Sequence, residues 1–181
     1  MSKDPLELKR FIRTVDNFPI EGIAFRDITS LIETPEAFTK TCDELTEITR
    51  NFGADIVASI ESRGFIFAGT IARDLSLPFV LARKPGKLPN ETYKKSFDLE
   101  YGSTSIEIQK NTEIKDNQKI VIVDDLVATG GTAIACSEIF TENFNVNSED
   151  ILILSIIDLT ELGGSKLIRE KGFLIETLID Y

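Results

Sequence analysis

Ile120-Val121-Ile122-Val123-Asp124-Asp125-Leu126-Val127-Ala128-Thr129-Gly130-Gly131-Thr132 is the stretch that decides the fold of this chain. Four consecutive β-formers end in two carboxylates, and a Thr-Gly-Gly-Thr turn then opens a helix that runs from about Thr132 to Glu142. The turn supplies what an anion needs: glycines that let the backbone approach, outward N–H groups, hydroxyl donors and the partial positive charge of a helix start. It is not a Walker A loop, because no Gly-Lys-Ser/Thr follows, and the Gly-x-Gly-x-x-Gly fingerprint of dinucleotide folds is missing. Adjacent aspartates would repel a bare phosphate. They fit a ligand that also carries sugar hydroxyls, or a metal or developing cation beside the anion. Strand alternation predicts that Asp124 and Asp125 face opposite sides and therefore differ in role.

Working outward, short apolar runs alternate with helical patterns. Asp55–Ile60, Pro78–Ala82, Lys119–Val123, Ile151–Ile157 and a segment near Leu174 read as strands. Helices are expected over Arg63–Leu75 and near Lys166. Thr34-Pro35-Glu36 starts another, with Phe38, Cys42, Leu45 and Ile48 on one stripe and Asn51-Phe52-Gly53 at its end. Asp4, Pro5 and Glu7 have the spacing of a helix start, with Leu8, Phe11, Ile12 and Val15 on a shared face. This alternation predicts an α/β fold, a mostly parallel central sheet with helices on both faces, whose ligand site lies beyond the carboxyl ends of the strands. One domain is expected over 1–181, with an N-terminal helix and hood over 1–34. Lys87–Ser105 follows neither period and reads as a flexible loop, a candidate lid or flexible hairpin.

Composition narrows the chemistry. The 181 residues are 42% hydrophobic and 28% charged, ordinary globular values, and the net charge of −10 argues against nucleic-acid or anionic-membrane partners. There is no histidine, which removes Ser-His-Asp and Cys-His catalysis and every histidine-bearing zinc site. Cys42 and Cys136 are far apart on expected helices and read as buried thiols of a reducing compartment. No apolar run reaches membrane-spanning length and no signal core precedes the first helix, so a soluble, cytoplasmic protein is expected. Against this acidic background, Arg83, Lys84, Lys87, Lys94 and Lys95 face only Glu91 between positions 83 and 95. Such an island suits a discrete, highly charged anion, or else is a solvated basic loop. Arg63, at the start of a helix after a strand, is placed to reach the same anion unless it is a plain surface arginine.

Val123–Thr132 resembles the diphosphate-sugar motif of the type I phosphoribosyltransferase family. The resemblance implies that Ala128, Thr129, Gly130, Gly131 and Thr132 hold the 5-phosphate of 5-phosphoribosyl 1-diphosphate (PRPP). Asp124 and Asp125 then take the ribose hydroxyls, and Asp125 reaches Mg2+ through water. Four further segments resemble the adenine-using members, in the same chain order. They are Phe25-Arg26-Asp27-Ile28-Thr29, Ile60-Glu61-Ser62-Arg63-Gly64-Phe65, Arg83-Lys84-Pro85-Gly86-Lys87, and Leu99-Glu100-Tyr101-Gly102. By that likeness Ala24, Phe25 and Arg26 form the adenine site, with Phe25 stacking on the base or, alternatively, packing in the core. Arg63, Arg83, Lys84 and Lys87 bind diphosphate, Tyr101 belongs to the flexible loop, and Glu100 acts with Asp124 and Asp125 in catalysis.

The hypoxanthine–guanine members carry an aspartate where this chain has Ala128, so the acid or base toward the purine must come from elsewhere, and Glu100 matches that role. The implied reaction is Mg2+-dependent transfer of phosphoribosyl from PRPP to N9 of adenine, giving AMP and diphosphate in purine salvage, by a homodimer. Two alternatives stay open. One is a type I enzyme for another base, such as xanthine, guanine or a pyrimidine; the other is a non-catalytic PRPP-sensing regulator. The chain departs from the adenine pattern at Ser30, at Ile20-Glu21 and at Ser62, which bears on the hood's geometry rather than on the reaction.

Overall fold

A computed structural model describes residues 3–99 and 102–181 of the chain. Their elements run, in order, as β1 (Arg13–Asp16), β2 (Ala24–Asp27), α1 (Thr29–Ile32), α2 (Pro35–Phe52), β3 (Ile56–Ile60) and α3 (Gly64–Leu75). There follow β4 (Phe79–Ala82), β5 (Thr92–Leu99), β6 (Gly102–Gln109), β7 (Ile120–Val127), α4 (Gly131–Asn143), β8 (Ile151–Asp158), α5 (Gly164–Glu170) and β9 (Leu174–Asp180).

Five strands form one parallel sheet in the order β4-β3-β7-β8-β9. Period-two alternation explains why every residue of β3 and β8 is buried. Ile56, Ala58, Ile60, Ile120, Ile122, Ile151 and Ile153 pack on one face with Cys136, Ile139 and Phe140 of α4 and Ile168 of α5. Val57, Val121, Val123, Leu152 and Leu154 pack on the other with Cys42 and Leu45 of α2 and Phe67, Ala68 and Ile71 of α3. Helix α2 begins with Pro35 behind Thr34 and ends at Gly53, whose φ of 74° is the left-handed stop that glycine takes without strain.

The order of the strands locates a crevice. From β3 the chain moves outward to β4 on one side, and from β7 to β8 and β9 on the other. Strands β3 and β7 are therefore the neighbours between which the connections diverge, and ligands of open parallel sheets bind beyond their carboxyl ends. Glu61 and Arg63 follow β3, and the Ala128–Thr132 turn follows β7.

Two expectations need correction, and one left between alternatives becomes definite. The Asp4–Val15 pattern does not make an α-helix: Leu8–Phe11 is a single 3₁₀ turn, and Val15 lies exposed on β1. Asp4 still caps it, its carboxylate accepting the N–H groups of Leu8 at 2.7 Å and Lys9 at 3.2 Å. The chain then leaves to form the β1–β2 ribbon, because Arg13–Asp16 pair with Ala24–Asp27. Second, Lys87–Ser105, read as a lid or a flexible hairpin, is largely an antiparallel hairpin, β5 with β6, continued by an Arg83–Glu107 bridge to the end of β4. Its base is docked on α4. Tyr93 meets the Phe144 ring edge-on at 5.2 Å, and Lys95 pairs with Glu138 at 3.0 Å and Glu142 at 2.5 Å.

Third, the strand does not stop at Val123 but runs through both aspartates to Val127. Its pairing with β8 joins Asp124 to Ser155 and Leu126 to Ile157 and skips Asp125. The Asp125 N–H instead donates to Asp124 Oδ1 at 2.9 Å. Beyond this break the alternation changes phase, with Val127 on the Ile120 face and Leu126 packed toward the Val121 face. An acidic side chain competing for a backbone donor has displaced a ladder bond. The two carboxylates therefore border one cavity instead of facing opposite sides of the sheet.

Candidate active site

The crevice between the ends of β3 and β7 is a cavity of about 420 Å³, within the range of small-ligand sites. Its floor is the whole of 124–133, which includes Asp124, Asp125, Ala128, Thr129, Gly130, Gly131 and Thr132. Gly130, with φ at 83°, turns the strand into α4, so the first amides of a 13-residue helix open on the cavity. Glu61, Arg63 and Lys84 form one wall, and Phe97, Thr104, Ser105 and Ile106 of the hairpin form another.

The charges here are already paired. Arg63 Nε lies 2.7 Å from Asp125 Oδ2, and the Asp125 side chain is only 9% exposed. Arg83 Nε lies 2.7 Å from Glu61 Oε2, while Glu61 Oε1 accepts the Lys84 N–H at 3.1 Å. Burial would raise the Glu61 carboxyl, but the Arg83 guanidinium and the Lys84 amide outweigh it and hold it below the usual range. Asp124 behaves oppositely. Burial, then the charge of Asp125, pushes its carboxyl well above the usual range, with Arg63 pulling only partly back.

Of the residues singled out in the sequence, Ala128–Thr132, Asp124, Asp125, Arg63 and Lys84 come together at the cavity. Arg83 turns toward Glu61 and the Lys87 carbonyl, and Lys87 is exposed; both sit beside the wall rather than in it. Ala24, Phe25 and Arg26 form β2 in the hood, which reaches the cavity rim where the Phe25 ring lies 5.5 Å from the Arg63 guanidinium carbon. Phe18 meets the outer side of that ring, edge to face at 5.1 Å. The Glu100 and Tyr101 expectations lie outside the described residues.

Sequence reasoning missed Gly164. At the start of α5 it is pressed on the phosphate turn, its N–H donating to the Ala128 carbonyl at 3.1 Å. A Cβ there would lie 2.2 Å from Ala128 O and 2.7 Å from Gly130 N. The signal was the Gly163-Gly164 doublet after a strand, which reads equally well as an ordinary turn.

Comparison with known proteins gives this geometry a family. The phosphoribosyl transferase domain family matches residues 30–157. The adenine phosphoribosyltransferase of Pelagibacter ubique is 40% identical over 176 residues, 97% of this chain and 98% of that protein. The chain belongs to the adenine phosphoribosyltransferase family. Among solved members, the Thermoanaerobacter pseudethanolicus adenine phosphoribosyltransferase superposes with a TM-score of 0.87 at 38% identity, covering 97% of this chain and 98% of that one. The Giardia lamblia enzyme, crystallised with 9-deazaadenine, gives 0.90 at 33% identity and 98% coverage of both chains. The mostly parallel sheet with helices on both faces is the type I phosphoribosyltransferase fold that the sequence resemblance implied.

Proposed function

We propose that this chain is an adenine phosphoribosyltransferase, transferring the phosphoribosyl group of PRPP to N9 of adenine and releasing diphosphate and AMP. The observation that carries the reading is one cavity uniting an anion-binding turn, an acidic pair and a cationic wall, with the Phe25 ring at its rim. The Ala128–Thr132 turn supplies backbone and hydroxyl donors for the 5-phosphate. Asp124 and Asp125 accept the ribose hydroxyls. As the bond from the anomeric carbon to diphosphate breaks, the electron pair leaves with diphosphate and positive charge grows on the sugar, where the two carboxylates offset it. Arg63 and Lys84 attract the diphosphate, and Arg83 and Lys87 extend the positive field beside them.

N9 closes the new bond on the anomeric carbon. Glu100, by family likeness, manages the proton at N7. Phe25 stacks on the base while backbone groups of Ala24 and Arg26 read its edge. Residues 87–105, with Tyr101, close over the site and exclude water that would hydrolyse the activated sugar. We read 1–181 as one domain, with the hood in 1–34.

The donor set fits Mg2+. No cluster of three or more histidine, cysteine or acidic side chains able to hold a metal exists among the described residues. Two adjacent hard-oxygen donors beside a phosphate site are what a cation shared with substrate oxygens requires. Asp125, with Asp124, would hold it. When bound, Mg2+ supplies charge neutralisation to the departing diphosphate. By the same likeness the protein is a cytoplasmic homodimer, which sedimentation of the purified chain tests. Among the described residues no helix is long and apolar enough to cross a membrane.

The decisive assay incubates the protein with PRPP, Mg2+ and each free base. AMP and diphosphate from adenine are expected. Product from guanine, xanthine or a pyrimidine with none from adenine overturns the base assignment, and PRPP binding without any turnover favours the regulator.

A further inference from the structure

The two aromatic-flanking residues of β2 do different jobs. Phe25 looks toward Arg63 and the cavity. Its neighbour Arg26, on the opposite face of the strand, brings its guanidinium carbon to 4.1 Å from the centroid of the Tyr181 ring. Arg26 Nη1 donates to Thr14 Oγ1 on the paired strand β1 at 2.5 Å, while its Nε is buried and has no hydrogen-bond partner among the described residues. A buried guanidinium N–H without an acceptor is costly, and the face of an aromatic ring compensates it in part. Lys9 Nζ lies 4.7 Å from the same ring centroid, so one tyrosine receives two cations from the N-terminal segment.

Tyr181 is itself fastened to the sheet. Its N–H donates to the Asp158 carbonyl at 2.9 Å, and its carbonyl accepts the Thr160 N–H at 3.1 Å and Thr160 Oγ1 at 2.8 Å. Asp158 ends β8, the strand next to β7, and Thr160 follows it. The hood thus reaches the catalytic end of the sheet through a ring whose backbone belongs to the core. Among the described residues β2 pairs with β1 alone, a two-stranded ribbon that is marginal on its own.

We propose that Tyr181 is a positioning residue for the base: by stacking on Arg26 it sets the distance of the hood strand from the cavity, and with it the affinity for adenine. The inference rests on the proposed reaction and adds a residue outside the cavity to it. Tyr181 does not line the cavity, so removing its ring is expected to act on adenine through the hood and to leave the PRPP side intact.

The test compares Tyr181→Leu with Tyr181→Phe. Tyr181→Leu is expected to raise the KM for adenine about tenfold, equivalent to ~1.4 kcal/mol, with the KM for PRPP within about twofold of wild type. Amide exchange at 24–26, measured without substrate, is expected to quicken in parallel. Tyr181→Phe keeps the ring and restores both. Arg26→Met removes the cation from the other side and is expected to quicken exchange at 24–25 without substrate to the same extent, which covers a Tyr181→Leu chain that fails to fold. Arg26 itself borders the base, so exchange rather than the adenine KM is the readout for that variant. Equal losses for adenine and PRPP, unchanged hood exchange, or a Tyr181→Phe as impaired as Tyr181→Leu would each overturn the proposal. A wild-type protein that makes no AMP refutes the reaction instead, and the exchange comparison still decides the role of Tyr181.

Discussion

Replacing Gly164 by alanine tests whether α5 braces the phosphate turn. The new Cβ would stand 2.2 Å from Ala128 O, 2.7 Å from Gly130 N and 2.8 Å from the Thr129 carbonyl carbon. Ordinary carbon contacts begin near ~3.5 Å, so the overlap with Ala128 O is about 1 Å. All three atoms are backbone, and none can swing aside as a side chain would. The opposing surface has no slack either, since a Cβ on Gly130 would meet Gly164 O at 2.9 Å. Either α5 withdraws, stretching the 3.1 Å bond from Gly164 N–H to Ala128 O, or the turn moves by a comparable amount. Overpacking costs about 1–3 kcal/mol and the hydrogen bond about 1 kcal/mol, so a loss of about 2–4 kcal/mol is expected. At roughly 2–4 °C per kcal/mol for a chain of this size, the melting temperature falls by about 4–16 °C. A shift of the turn approaching 1 Å is expected to cost up to about 100-fold in kcat/KM, because catalytic alignment is that sensitive. Thermal melts, calorimetric titration with PRPP and initial rates measure all three. Gly69→Ala is the control, for its Cβ meets nothing within 4 Å and it lies inside α3, where alanine is the better helix former. A folded Gly164→Ala protein that binds PRPP as wild type does would refute the bracing role.

Three other outcomes follow from the paired charges and buried thiols. Asp124 has a folded-state pKa above its unfolded value, so its contribution to stability is complete below the unfolded pKa and is lost as pH rises through the folded one. Asp124→Asn should therefore raise the urea midpoint of the ligand-free protein at pH 7–8, by less at pH 4, while abolishing turnover; a lower midpoint at pH 8 contradicts this. Glu61 is shifted the other way, so its contribution is present above the unfolded pKa and disappears as pH falls through the folded one. Glu61→Gln is expected to cost about 1 kcal/mol at neutral pH, after discounting for the one-third exposed Arg83, and progressively less as the pH falls into the acid range. Burial pushes both thiols up, and for Cys136 the charge of Asp124 adds to it, so a thiol reagent at pH 8 should label neither cysteine until denaturant is added.

Much of this was legible because buried parallel strands write themselves as continuous apolar runs. Ile151–Ile157 and Asp55–Ile60 need no tertiary information to be recognised, nor does a helix framed by Pro35 and Gly53. The Asp4–Val15 segment misleads for a physical reason. Its Asp4 cap and Leu8 burial are real, but β1 pairing with β2 takes over after Ile12, and no local spacing reports strand partners such as Arg13 and Asp27. At the site, the phosphate turn was readable because glycine and hydroxyl placement are local needs. The break at Asp125 was not, since it depends on the Asp124 carboxylate capturing an amide that β8 would otherwise pair. Arg63 and Arg83 read as open cations for the same reason: Asp125 and Glu61, which neutralise them, lie 62 and 22 positions away.

Those ion pairs change how affinity for a polyanionic sugar must arise in a chain of net charge −10. A diphosphate that approaches Arg63 competes with Asp125 at 2.7 Å, so the Coulomb gain is an exchange rather than an addition. The Arg83–Glu61 pair behaves alike, and Lys95 is committed to Glu138 and Glu142 on α4. The first amides of α4 face no such competition, because no intrahelical acceptor exists for them. Binding energy should thus concentrate in the Ala128–Thr132 turn, and the side-chain cations should act chiefly when diphosphate departs and its charge is most exposed. On that division, Thr132→Ala weakens PRPP binding measured by calorimetry, whereas Lys84→Ala lowers kcat more than it lowers affinity. The opposite pattern would place the anchoring of the sugar in the cationic wall and leave the turn as a spacer.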